Sequence, residues 1–82
     1  MTLQWVHYTE RRGDLPGLWA LARVWAALPG FAGAEVLHSP GQASAEGELY
    51  LLVTRWRGQV PALDLPAGAK GWAFLVLPEP AL

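Results

Sequence analysis

Residues 28–57 read LPGFAGAEVLHSPGQASAEGELYLLVTRWR, and this stretch decides the fold. Pro29 lacks an amide and Gly30 reaches left-handed backbone angles without steric penalty, so the pair stops a preceding helix. Residues 31–39 and 48–57 are rich in side chains that suit a pleated surface and predict two strands. Between them, residues 39–47 are small or turn-forming and predict a loop. In the second of these strands Tyr50, Leu52, Thr54 and Trp56 alternate with Leu49, Leu51, Val53 and Arg55. Both sets are apolar for most of their length, so both faces of the sheet call for cover.

Upstream, residues 3–10 (LQWVHYTE) predict a first strand, with Leu3, Trp5 and His7 on one face and Gln4, Val6 and Tyr8 on the other. Arg11, Arg12 and Gly13 read as a turn. Asp14 is a good N-cap because its carboxylate can accept the free amides of the next turn, and Pro16 is tolerated there. The spacing predicts a helix over residues 15–28 with Leu15, Leu18, Trp19, Leu21, Ala22, Trp25, Ala26 and Leu28 facing the core. Arg23 is its only charged residue, on a side shared with Ala20 and Ala27. Downstream, Pro61 and Pro66 exclude a long helix from residues 58–70 and leave room for a short turn near residues 62–65. Residues 71–77 (GWAFLVL) predict a fourth strand, ended by Pro78 and Pro80.

The order is therefore β-α-β-β-connection-β. A helix between the first two strands can cross over a third strand lying between them. The natural solution is an α+β fold with a four-stranded antiparallel sheet in the order 4-1-3-2. The last connection then joins two parallel strands, which takes about a dozen residues.

Eighty-two residues make one domain, residues 1–82. A chain this short hides only about 60% of its unfolded surface, yet 52% of it is hydrophobic and 16% charged. That is more apolar material than so small a monomer readily buries, and it predicts a homodimer. Without cysteine there is no disulfide, zinc–thiolate site or thiol nucleophile. A net charge of −1 gives no electrostatic reason to expect nucleic acid. The apolar runs are too short for a membrane span and the N-terminus lacks a signal-peptide layout, so no membrane partner and a cytoplasmic location are expected.

The residues Pro29, Gly30, Phe31, Gly33, Glu35, His38, Ser39, Arg55 and Trp56, in PGFAGAEVLHSP followed by LYLLVTRWR, resemble the antibiotic biosynthesis monooxygenase (ABM) domain family. The likeness spans most of residues 3–57. It implies a ferredoxin-like βαββ(α)β sheet that pairs with a second copy as a dimeric α/β barrel, with ligand pockets between sheet and helices. Some members oxidise polycyclic phenols without metal or flavin; others bind and degrade haem. This chain departs from the pattern twice. Residues 58–70 stand where members carry a second long helix, which removes the usual haem-ligand position. Leu52 stands where the phenol-oxidising members carry Asn. The resemblance thus implies a cofactor-independent monooxygenase acting on a hydrophobic aromatic substrate, with haem disfavoured. The alternative is a non-catalytic ligand-binding or dimeric assembly module that keeps the barrel without the chemistry.

For the monooxygenase reading the catalytic candidates are Trp56, to stack on a planar ligand, and His7 and Tyr50, to handle protons. Trp5, Tyr8, His38, Arg55 and Trp72 are candidate ligand-binding residues, Arg55 because a guanidinium suits an anionic group. Each has a plain structural alternative. Tryptophans fill small cores. A mid-strand His is commonly hydrogen-bonded and half-buried, and His38 at a strand end suits a solvent-exposed role. Arg55 can pair with Glu35 or Glu48. His38 and Ser39 point to opposite faces of a strand, so they make a poor nucleophile–base pair. Two histidines and no cysteine make a zinc site improbable, and no metal is expected.

Overall fold

The computed structural model describes residues 4–80; Leu3, assigned above to the first strand, lies outside them. The order is β1 (Gln4–Arg12), α1 (Leu15–Trp25), β2 (Phe31–Ser44), β3 (Gly47–Arg57) and β4 (Lys70–Leu75). These form an α+β unit with one helix and a four-stranded sheet, ordered β2-β3-β1-β4. This is the predicted 4-1-3-2 read from the opposite edge. All three strand pairs are antiparallel. β1 and β2 are therefore parallel to each other, as are β3 and β4, so α1 and residues 58–69 act as the two crossovers.

Asp14 caps α1 as its chemistry predicts, with Oδ1 accepting from the Gly17 amide at 2.9 Å. Arg11 reaches the other carboxylate oxygen at 3.3 Å. The helix ends at Trp25, short of the predicted residue 28. Leu28 precedes a proline and is disfavoured from the α region; its amide instead turns back to the Trp25 carbonyl at 2.9 Å. Gly30 then adopts φ 88°, the left-handed geometry expected of it. Leu18, Ala22 and Trp25 are buried, with Leu21 and Leu28 packed beside them. Trp19 and Ala26, predicted to face the core, are exposed instead. The buried stripe is narrower than predicted because a single helix has only the sheet to pack against.

The largest correction concerns residues 39–47. They do not form a loop. β2 continues to Ser44 and turns through Ala45 and Glu46 into β3, making one long hairpin. Pro40 and Gly41 do not break the strand, because pairing is irregular between Ser39 and Ser44 and a bulge absorbs the extra residues. β1 likewise runs through Arg11 and Arg12, leaving only residues 13 and 14 as the turn. β4 spans Lys70–Leu75; beyond it the Val76 amide still bonds the Gln4 carbonyl at 2.9 Å. Residues 58–69 contain no helical turn near residues 62–65. They lay Val60 and Leu63 against the core in its place.

The core lies on one side of the sheet. Leu52 and Trp56 of β3 meet Leu18, Ala22 and Trp25 of α1, with Trp5, Phe31, Ala34 and Val36 around them. At the hairpin end, Gly13 (φ 74°) and Gly47 (φ 108°) approach back to back. A Cβ on Gly47 would lie 2.7 Å from the Gly13 Cα, and one on Gly13 would lie 2.8 Å from the Glu46 carbonyl oxygen. Gly47→Ala should therefore lower unfolding stability by about 2 kcal/mol through both strain and contact. Gly41→Ala, where a Cβ meets nothing within 4 Å, should change it by less than about 0.5 kcal/mol. Urea unfolding of the two variants checks this; equal effects would contradict the close approach.

Candidate functional site

On the helix side, β1 and β3 bring four polar groups into one buried chain. His7 pairs with Thr54 across the strands, and Trp5 with Trp56. The Trp56 indole Nε1 donates to Thr54 Oγ1 at 2.8 Å, and the Thr54 hydroxyl donates to the His7 carbonyl at 3.4 Å. Thr9 Oγ1 lies 3.2 Å from His7 Nδ1. Thr9, Thr54 and Trp56 are fully buried and His7 nearly so. Such groups persist in a core only when hydrogen-bonded, and no buried side-chain nitrogen or oxygen among the described residues lacks a partner.

The His7 ring stands edge-on to Trp25, with centroids 5.7 Å apart. Its far edge meets Gly71, where an added Cβ would come within 2.9 Å of Nε2. No protein group bonds Nε2 among the described residues, and since no such atom there is both buried and unpartnered, Nε2 keeps contact with solvent. Burial pushes the His7 pKa below its usual 6.5. In the tautomer whose Nδ1 donates to Thr9, Nε2 carries a free lone pair near neutral pH.

The sequence-predicted residues divide between two faces and two ends. His7 and Trp56 are brought together, as is Trp5. Tyr50 shares their face but lies four residues along β3 from Thr54, roughly 13 Å away, where it stacks on His38 with centroids 5.0 Å apart. His38 is exposed and bonds Glu48 through Nε2 at 2.9 Å. The Trp56 indole is fully buried, packed edge-on against Phe31 and hydrogen-bonded at its nitrogen. Leu52, on the same face, is fully buried too.

Tyr8, Arg55 and Trp72 lie on the opposite, open face. Tyr8 packs edge-on against Phe74, and Arg55 pairs with Glu35 at 2.5 Å. Both partners of that pair are exposed, so it adds little stability.

Sequence reasoning missed Thr9, Thr54 and Arg12. A lone hydroxyl between Leu52 and Trp56 was a visible signal, but its meaning required the register that sets it opposite His7. Arg12 reaches the carbonyls of Gln42 at 2.6 Å and Gly47 at 3.4 Å. It thereby holds the bulged part of the hairpin against β1. Two depressions flank this clamp. One is polar, about 490 Å³, between Glu10, Arg11, Arg12, Glu46 and Lys70. The other is about 380 Å³ and largely apolar, on the open face. Among the described residues no group of three or more His, Asp or Glu side chains is placed to hold a metal ion, and no helix is long and apolar enough to cross a membrane.

No family model matches the chain, and no curated protein or solved structure matches it either.

The depressed pKa of His7 has a definite sign. The unfolded chain binds the proton near pH 6.5 while the folded chain resists it, so His7 favours folding above that pH. Its share of stability declines as pH falls from 6.5 through the lowered folded value. Urea unfolding across this range should show stability dropping with acid, with a shallower slope in His7→Gln. An unchanged slope in the variant would show that His7 is not the group responsible.

Proposed function

We propose that this chain is a self-assembling ferredoxin-like module, related in design to the ABM domain, that acts as a homodimer with its open sheet faces packed together as a dimeric α/β barrel. The observation that carries this reading is the uncovered apolar face. Val6, Tyr8 and Leu51, each partly exposed, form its centre around the buried Val53; Leu37, Trp72 and Phe74 stand around them, each about half exposed. The fold is a slab only 16 Å thick against 44 and 34 Å in its other dimensions, which leaves no second layer for this side. Its 5539 Å² of accessible surface exceeds the roughly 4,800 Å² typical of a compact monomer of this mass. The excess is of the order one partner contributes to a stable interface, about 800 Å². Beneath α1, the space beside Trp56 is filled by the protein's own side chains, which favours assembly over catalysis on that side.

A second reading, the cofactor-independent monooxygenase, keeps one supporting observation. Burial lowers the His7 pKa, which favours the neutral ring, and its Nε2 has no protein partner among the described residues, so it could accept a phenolic proton. Oxygen uptake with a polycyclic phenol, lost in His7→Gln, would carry that reading; no uptake above buffer would remove it.

The assembly reading makes its own prediction. Sedimentation equilibrium at micromolar concentration should give about 18 kDa, twice the 8.9 kDa of one chain. Phe74→Glu, which sets a charge on the open face, should shift the particle toward the monomer while far-UV circular dichroism is retained. A monomeric native chain would refute the proposal.

A further inference from the structure

The apolar depression lies at the hairpin end of the open face. Leu37 of β2 and Leu49 and Leu51 of β3 line it, with Trp72 of β4, Glu10 of β1 and Gln42 of the bulged segment. It is not a plain stretch of sheet. Gln42 belongs to the irregular segment between Ser39 and Ser44, and Arg12 fastens that segment by its carbonyl. About 380 Å³ falls within the size range of small-molecule sites.

Its chemistry is uneven. Glu10 is the only acidic residue of the lining, which also includes Ser39 and His38, the latter bonded through Nε2 to Glu48. The Glu10 carboxylate forms no ion pair among the described residues. Two cations stand near in register, and neither takes up the carboxylate. Lys70, opposite Glu10 on β4, lines the neighbouring polar depression, whose wall Glu10 also forms, but no ion pair joins the two among the described residues. The Arg12 guanidinium is engaged by two backbone carbonyls. Trp72 is half exposed and sits diagonally from Glu10 on the same face. A cation is attracted both to an indole face and to a carboxylate, while leucines favour an apolar body.

The geometry points to a binding site for an organic ammonium with a ring-sized apolar body, its nitrogen between Glu10 and Trp72 and its body over Leu37 and Leu51. This site goes beyond the assembly reading. It is formed within one chain but shares Leu37, Leu51 and Trp72 with the face proposed to pair, so it is read on the monomer-shifted Phe74→Glu as well as on the native chain.

The probes are three molecules of matched size: 2-phenylethylammonium, neutral 2-phenylethanol and anionic 3-phenylpropanoate. The readout is nitrogen–proton correlation NMR of the full chain, with the Trp72 indole signal identified from Trp72→Phe. The ammonium should bind saturably with Kd on the order of 1 mM, as suits a fragment. Shifts should centre on Glu10, Gln42 and the Trp72 indole, and binding should be at least about tenfold tighter than for the anion. Glu10→Gln should retain the fold and bring the ammonium to the level of the alcohol. Arg12→Ala should weaken all three by releasing the wall. The same titration on Phe74→Glu, whose open face is expected to be free, separates this site from the dimer: a native chain that sediments as a monomer yet keeps the ammonium selectivity overturns only the assembly reading. Equal binding of the three probes, shifts centred elsewhere, or no saturation of Phe74→Glu would overturn the site.

Discussion

The rest of the structure depends on the hydrogen bond from the Trp56 indole to Thr54. Trp56 fills the space where α1, β2 and β3 meet, and its fully buried nitrogen needs an acceptor. An orphaned donor there would remove about 1–3 kcal/mol of stability. A chain of this size has only a few kcal/mol to lose. Thr54 supplies the acceptor and in turn donates its hydroxyl hydrogen to a bond with the His7 carbonyl, so one hydroxyl joins the packing of β3 to the register of β1. A one-residue slip would turn every side chain of β3 to the other face and part the Thr54 hydroxyl from the His7 carbonyl.

Because that core is on one side, everything else follows from the shortage of chain. α1 covers the β2 and β3 side, and Val60 and Leu63 in the second connection cover part of what remains. Two prolines keep this connection extended, so it supplies individual side chains instead of a second helical layer. None of the elements is left for the opposite face. The result is a sheet buried below and open above, with large apolar groups on β4 exposed.

Much of this was legible in the sequence because it depends on local chemistry and connection length. Asp14 as cap, the left-handed turn at Gly30, the alternation in residues 48–57 and the sheet order all follow from such rules. The hairpin did not, because Pro40 and Gly41 look the same in a loop and in a bulged strand. Only pairing with β3 and the Arg12 clamp distinguish them. The helix end was misjudged because periodicity continues through Ala26 and Leu28 after the backbone has tightened. The site was the least legible part. His7, Tyr8, Tyr50, Trp56 and Trp72 are all plausible ligand partners by residue type. Register alone sends Tyr8 and Trp72 to one face, His7 and Trp56 to the other, and Tyr50 to a distant end.

The two faces are thus built for different kinds of change. On the helix side the buried polar groups are satisfied and the aromatic rings enclosed, so a substitution there acts first on stability. On the open side the side chains contribute less to the monomer's own core, and substitutions act first on what the surface can meet. Arg12 connects the two regimes. It belongs to the well-paired strand β1, yet its guanidinium holds the part of the hairpin whose own ladder is interrupted. A segment with few ladder bonds opens at lower free energy than the core. The wall of the open-face depression therefore depends on Arg12 where Trp56, Thr54 and His7 depend on the ladder and the core.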